Sequence, residues 1–76
     1  MIVWRQVESS NVKAIGWDQG RRLFVRFKSG AVYAYPGVSR QRAVACAYAR
    51  RLTRAASVGR YINQRIKPHY QAVKIT

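Results

Sequence analysis

The first half of the chain alternates between apolar and polar residues with the period of two that is typical of β-strands. Four segments show this pattern, at residues 2–7, 11–18, 22–28 and 31–35. The connections DQGR and KSGA carry glycine at positions that favour a tight hairpin. The pattern therefore predicts consecutive antiparallel strands that end at Pro36-Gly37.

The second half changes to the spacing of an amphipathic helix. We predict this helix from Ser39, a favourable N-cap residue, to residue 56, because the segment contains no glycine or proline. At about 100° per residue, one side is apolar and the other carries Arg40, Arg50, Arg51 and Arg54. A shorter helix is expected over residues 60–67 and ends at Pro68. Residues 69–76 form either a last edge strand or a frayed end.

A length of 76 residues suits one small domain. The predicted fold class is α+β, with a small antiparallel sheet of three to four strands packed against one long helix and a short second helix. The domain is expected to cover residues 1–76, with residues 1–6 and 71–76 as extended or frayed ends.

Two-residue turns at Gln19-Gly20 and Ser29-Gly30 would give the sheet two unlike faces. One face would be apolar and lie beneath the long helix, with Leu23, Val25, Phe27, Val32 and Ala34. The other would combine rings and cations, with Ile15, Trp17, Arg22, Phe24, Arg26, Lys28, Tyr33 and Tyr35. A slip of one residue in a turn would exchange the faces, because side chains alternate along a strand.

The face that carries Tyr33 and Tyr35 has two interpretations. Aromatic rings interleaved with arginine on an antiparallel sheet are typical of a surface that stacks bases and binds phosphates. Alternatively, the rings form a second small core beneath the N-terminal strand or the C-terminal segment, because five large apolar groups are difficult to leave in water.

Charge narrows the class of partner. Fifteen Lys and Arg residues stand against Glu8 and Asp18, which gives a formal net charge of +13. Such an excess favours a polyanionic partner, with nucleic acid as the first expectation and an acidic protein surface as the second. A basic surface that serves only solubility is the remaining alternative.

Catalytic and cofactor chemistry has little support in the residues. Two carboxylates and one histidine offer few converging groups, so we expect neither an enzyme nor a bound cofactor or metal. Cys46 and His69 could form a nucleophilic pair, but a small helix cysteine and a solvated loop histidine are the expected interpretation. A single cysteine, a start without a long apolar segment and the lack of a membrane-length apolar stretch favour a cytoplasmic protein that does not bind membranes.

Several spaced motifs resemble one family. They are Ser10 with Ile15-Gly16-Trp17, the Tyr33-x-Tyr35 pair, and Ser57-x-Gly59-x-Tyr61 followed by Ile66. In this order they resemble the KTSC domain, found at the C-terminus of some lysyl-tRNA synthetases and as small bacterial and phage proteins. The resemblance implies a small β-rich domain with a helix and, from the synthetase context, RNA binding. The family usually has proline where this chain has Ser39, and the helix that follows is longer here by about two turns.

These observations predict a small nucleic-acid-binding module without catalytic activity, with RNA or single-stranded nucleic acid favoured over sequence-specific duplex DNA. Phosphate contacts are expected from Arg22, Arg26, Lys28, Arg50, Arg51 and Arg54, and base stacking from Tyr33, Tyr35 and Trp17. The alternative is a phage-type regulator whose arginine helix binds an acidic surface of a host protein such as RNA polymerase and modulates transcription. Neither function requires a small-molecule substrate.

Overall fold

Five strands of the computed structural model, which describes residues 1–49 and 57–76, form one antiparallel sheet in chain order. The strands are β1 (Val3–Gln6), β2 (Val12–Trp17), β3 (Arg22–Phe27), β4 (Val32–Pro36) and β5 (Val73–Lys74). The described helices are α1 (Arg40–Ala47) and α2 (Val58–Tyr61), and α2 continues into a π-helical segment, Ile62–Ile66. None of the described helices is long and apolar enough to cross a membrane.

The α+β class is confirmed, but the details of the predicted fold are partly wrong. The sheet has five strands because β5 pairs with β4, with Lys74 opposite Tyr33 and Val73 opposite Ala34. The helix begins as predicted, since the Ser39 hydroxyl accepts a hydrogen bond from the Arg42 amide at 3.2 Å. It ends at Ala47 rather than continuing unbroken.

The early end of α1 has a physical reason. Tyr48, with φ −111° and ψ 32°, leaves the helical conformation, and its ring lies 4.0 Å from the guanidinium carbon of Arg5 on β1. An alanine-rich sequence can present an apolar side at several helical phases, so periodicity does not show where the chain changes direction. The rest of the predicted helix, residues 50–56, lies outside the described residues.

Both hairpin loops contain three residues rather than the predicted two. At the first loop Trp17 lies opposite Leu23, and at the second the Phe27 amide donates to the Ala31 carbonyl at 2.9 Å. Each loop ends in a residue with positive φ, Arg21 at 57° and Gly30 at 98°. A three-residue loop closed by a left-handed residue is a common hairpin connection. The extra residue shifts the register of β3 by one against each neighbouring strand.

The shift turns β3 over relative to its neighbours. Tyr35 now lies opposite Leu23, and Tyr33 lies opposite Val25. Because directly paired residues share a face, both tyrosines lie on the same side as the apolar β3 residues, and the predicted distribution of residues between the faces was wrong. Trp17 also lies on this side, opposite Leu23, whereas Val32 and Ala34 lie on the other.

The core lies between this face and the helices. Ile15, Leu23 and Val25 from the sheet pack against buried residues of the helical half, namely Ala43, Cys46, Ala47, Val58, Tyr61, Ile62 and Ile66. A bulge between Val12 and Ala14 turns Val12 toward the same core. Tyr35 is part of this cluster and is 2% exposed.

Candidate nucleic-acid interface

The sheet has an outer face that points away from this core. It carries Trp4, Gln6, Ala14, Gly16, Arg22, Phe24, Arg26, Val32, Ala34, Pro36 and Val73. One row of directly paired residues crosses all five strands on this face, in the order Trp4, Gly16, Phe24, Ala34 and Val73. The row places one large ring on β1 and another on β3, with a glycine between them on β2.

Gly16 allows the two rings to approach each other. A Cβ atom at this position would lie 2.9 Å from Cε3 of Trp4 and 2.9 Å from Cγ2 of Ile2. The Trp4 and Phe24 ring centroids are 6.1 Å apart and the rings are tilted by 52°, a separation typical of aromatic pairs. The indole and Ile2 therefore occupy the space above the glycine, and Phe24 is only 4% exposed.

Two arginines lie over these rings. The guanidinium carbon of Arg26 is 4.5 Å from the Trp4 ring centroid, and that of Arg22 is 5.3 Å from the Phe24 centroid. Both distances are within the range of a cation–π interaction. We call Trp4, Phe24, Arg22 and Arg26 the arginine–aromatic cluster. Its surface layer is formed by guanidinium groups, and the rings beneath hold them in place.

Asp18 binds one of the two arginines. Nη2 and Nε of Arg22 donate to Oδ2 of Asp18 at 2.6 and 3.0 Å, and the Gly20 amide donates to Oδ1 at 2.9 Å. Burial acts to raise the pKa of the Asp18 carboxyl, but the hydrogen bonds and the charge of Arg22 outweigh it and hold the pKa below its usual value. Within residues 1–49 and 57–76 this is the one ion pair, so Arg26 has no carboxylate partner there.

The predicted site residues fall into separate groups. Arg22 and Arg26 are together on the outer face, whereas Lys28 lies in the turn that follows β3 and is exposed. Trp17 and Tyr33 are partly buried against the core, and the 2% exposure of Tyr35 leaves no ring surface for a base. The three helix arginines, Arg50, Arg51 and Arg54, lie outside the described residues.

Trp4 is the residue that sequence reasoning missed. The alternation predicts a strand over residues 2–7 but does not connect the ring of Trp4 with Phe24 or Arg26. An aromatic residue next to an arginine in a short N-terminal strand was the available signal. Only the pairing of β1 with β2, which places Trp4 opposite Gly16, shows that its ring lies on the outer face.

A second group of predicted residues lines a cleft on the core side of the sheet. Lys28, Tyr33 and Tyr35 surround it together with Phe27 and Lys67. Its volume is about 630 Å³. Burial, followed by the neighbouring Tyr33 and Cys46, raises the pKa of the Tyr35 phenol, so the hydroxyl stays neutral near pH 7.

Cys46 and His69 do not have the properties of a nucleophilic pair. Cys46 is fully buried, and burial raises the pKa of its thiol to about 12. His69 is exposed, in the turn that follows the π-helical segment. A buried, protonated thiol is a poor nucleophile.

The geometry defines the class of protein as an α+β domain in which a five-stranded antiparallel sheet is covered on one face by short helices. The sequence profile of the KTSC domain matches residues 8–70, and the chain belongs to the KTSC domain family. The crystal structure of a KTSC domain protein from Yersinia pestis superposes with a TM-score of 0.76 at 27% identity, covering 100% of both chains. The predicted family is thus confirmed.

Two bacterial relatives match nearly the whole chain. A protein of Stutzerimonas stutzeri strain A1501 is 35% identical over 71 residues, which cover 91% of this chain and 92% of the relative. A protein of Tsukamurella paurometabola is 34% identical over 70 residues, covering 91% and 96%. These relatives have the length of a single domain, like the chain described here.

Several residues that carry the family resemblance have structural roles. The Ser57 hydroxyl accepts a hydrogen bond from the Arg60 amide and caps α2. A Cβ atom at Gly59 would lie 3.0 Å from Oδ1 of Asn11, so the glycine lets α2 approach the loop before β2. Ile15 and Ile66 are fully buried in the core. These residues support the fold, and Gly16 also makes room for Trp4, but the four residues of the arginine–aromatic cluster are not themselves motif residues.

Proposed function

We propose that this protein is a nucleic-acid-binding module that uses the arginine–aromatic cluster to bind RNA or single-stranded DNA. The observation that carries the proposal is the position of Arg22 and Arg26 over aromatic rings on the sheet face that points away from the core. The net charge of +13 provides the long-range attraction to a polyanion.

Contact with a ring leaves the hydrogen-bonding capacity of an arginine unused. The donors of a guanidinium group lie in its plane, whereas a cation–π interaction uses the charge and not the N–H groups. Arg26 therefore retains donors for a phosphate, and its side chain has already lost part of the rotational freedom that binding would otherwise remove. Trp4 thus acts as a support that positions Arg26 for a phosphate.

The two arginines are expected to contribute unequally. Arg22 is bound to Asp18 through its Nε and Nη2 atoms, so a phosphate must share it with a carboxylate. Arg26 has no carboxylate partner in the described part of the chain. Arg26 should therefore contribute more to affinity, and Arg22 more to the local structure of the β2–β3 loop.

A single strand fits this face better than a duplex. Guanidinium planes can stack against unpaired bases, and a sheet surface is a common platform for them. Sequence readout in duplex DNA places a helix or a two-stranded ribbon in the major groove. The cluster extends from the edge strand β1 to the central strand β3 of a five-stranded sheet, and a sheet of that width does not fit into the major groove.

A salt titration with a labelled single-stranded oligonucleotide tests the proposal. Contact with about five phosphates predicts a log–log slope of affinity against salt near −3.5 for a single strand. Arg26→Ala should weaken binding and reduce the slope by about 0.7. Arg65→Ala, an exposed arginine on the π-helical segment, is the matched control for loss of charge. Failure to bind at low salt would overturn the proposal and leave an acidic protein surface as the partner for the same charges.

A further inference from the structure

The cleft on the core side of the sheet has the size of a small-ligand site. Its volume is about 630 Å³, within the range of about 300–1,000 Å³ that is usual for such sites. It lies between the β3–β4 turn, the loop before β2 and the chain that follows the π-helical segment. Tyr33 and Phe27 come from the core face of the sheet, so the cleft and the arginine–aromatic cluster are on opposite sides of the molecule.

Two rings form a corner of the cleft. The centroids of Phe27 and Tyr33 are 5.7 Å apart, and their planes meet at 81°. Both residues line the cleft and both are partly buried against the core, which holds the corner in place. Perpendicular rings give a planar ligand one wall to stack against and a second wall to meet edge-on.

Among the described residues that line the cleft, the charged ones are all cations. Lys28 and Lys67 line it from different elements, the β3–β4 turn and the end of the π-helical segment, and both are exposed. Neither Glu8 nor Asp18 is among the lining residues. Ser29 and Asn11 add hydroxyl and amide groups to the same cleft. An anionic group would therefore find two ammonium groups and neutral donors, and the described residues that line the cleft include no aspartate or glutamate.

We propose that this cleft binds a planar ring that carries a phosphate, the chemistry of a nucleotide, with the ring in the corner of Phe27 and Tyr33 and the phosphate at Lys28 and Lys67. This chemistry has two sources, a free mononucleotide or the phosphorylated end of a nucleic-acid strand. The site goes beyond the proposed strand-binding function, because it shares no residue with the arginine–aromatic cluster.

Titration of the isotope-labelled protein with AMP, followed by NMR chemical shifts, tests the site directly. Saturable shifts should centre on the cleft residues with a dissociation constant of about 1 mM or below. Adenosine and inorganic phosphate should each bind at least about tenfold more weakly, because each lacks one half of the recognised chemistry. Absence of saturable shifts with both AMP and UMP would overturn the proposal.

Variants separate the two halves of the site. Lys67→Gln should weaken the binding of AMP at least about threefold and leave the binding of adenosine unchanged. Tyr33→Leu should weaken the binding of both ligands, because it removes the ring against which they stack. Lys13→Gln, an exposed lysine outside the cleft, is the matched control and should leave AMP binding unchanged. Equal effects of Lys67→Gln and Lys13→Gln would show that AMP responds only to net charge and would contradict the site.

The source of the nucleotide is decided by comparing AMP with a short oligonucleotide that carries a 5′-phosphate and with the same oligonucleotide without it. If the ligand is a strand end, Lys67→Gln should weaken binding of the oligonucleotide that carries the 5′-phosphate and not of the one without it. If the ligand is a free mononucleotide, Lys67→Gln should weaken binding of AMP and leave binding of both oligonucleotides unchanged. Arg26→Ala should weaken both oligonucleotides and leave AMP unchanged, so failure of one proposal is distinguishable from failure of the other.

Discussion

The indole of Trp4 lies over Gly16 of the neighbouring strand, in space that the Cβ atom of any other residue would enter. The distance from that Cβ position to Trp4 Cε3 would be 2.9 Å. The ring also contacts Arg26, whose guanidinium carbon is 4.5 Å from the ring centroid. The small residue on β2 therefore determines where a charged side chain on β3 is supported.

This relationship predicts the effect of Gly16→Ala. The added methyl group should displace Trp4 and Ile2 and lower the free energy of unfolding by about 1–3 kcal/mol, measured by chemical denaturation. Gly20→Ala is the control, because its nearest neighbour, Oδ1 of Asp18, would be at an ordinary 3.4 Å. Oligonucleotide affinity should also fall in Gly16→Ala, since Arg26 loses its support. Unchanged stability together with unchanged affinity would show that Trp4 does not depend on this glycine.

Substitutions in the two hairpin loops should change the free energy of unfolding in opposite directions. Arg21 has a φ of 57°, which glycine adopts without the cost that a side chain imposes, so Arg21→Gly should raise the free energy of unfolding by about 1 kcal/mol. Gly30 has a φ of 98°, and in the described part of the chain a Cβ atom added there would meet no atom within 4 Å beyond its two chain neighbours. Gly30→Ala should therefore lower the free energy of unfolding by about 1 kcal/mol through the backbone alone. Thermal or urea denaturation measures both changes, and shifts of the same sign would contradict the left-handed closure of the loops.

The buried thiol predicts a loss of stability at alkaline pH. The pKa of Cys46 is raised to about 12 in the folded protein from a reference value of 9.0. A pKa raised by folding stabilises the protein fully below the unfolded pKa, and this contribution is lost as the pH rises from about 9 to about 12. Denaturation at several pH values should show a smaller alkaline loss in Cys46→Ala than in the parent protein. Tyr35, whose pKa is also raised, contributes in the same direction and remains in both proteins.

The same thiol should resist modification. Cys46 is fully buried. In the native protein at pH 8, a thiol-specific reagent should therefore react with it slowly, only when the structure opens, whereas in denaturant the reaction should be rapid. Rapid reaction of the native protein would mean that Cys46 is not buried in the core between α1 and the sheet as described.

Asp18→Asn should move stability and affinity in opposite directions. Loss of the contact with Arg22 should lower the free energy of unfolding by about 0.5–1 kcal/mol at pH 7. The pKa of the Asp18 carboxyl is lower in the folded state than in the unfolded state. Asp18 therefore stabilises the fold at pH values above its unfolded pKa, and this stabilisation is lost as the pH falls through its folded pKa. Asp18→Asn should accordingly lose less stability in acid than the parent protein. Oligonucleotide affinity should rise by about twofold, since Arg22 is released and a negative charge removed. Reduced affinity would show that Asp18 is needed to position Arg22.

The sequence was sufficient for strands β1 to β4 and for the α2 region, because alternation and helical spacing are local properties. It was not sufficient for the faces of the sheet, because Gly20 and Gly30 indicate a turn without indicating its length. In the first loop the left-handed residue is Arg21 and not the neighbouring glycine, which no residue preference predicts. The sequence predicted rings beside arginines on the sheet, and the rings that the outer-face arginines contact are Trp4 and Phe24 rather than the two tyrosines.

The three-residue loops also decide which side of the molecule is charged. With one residue fewer in each loop, β3 would turn over, and Arg26 would point into the core while Leu23 and Val25 pointed into water. Surface loops are usually where a chain accepts insertions and deletions at little cost. In this domain a change of loop length would instead reverse the polarity of the central strand, so these loops should tolerate substitution far better than they tolerate a change in length.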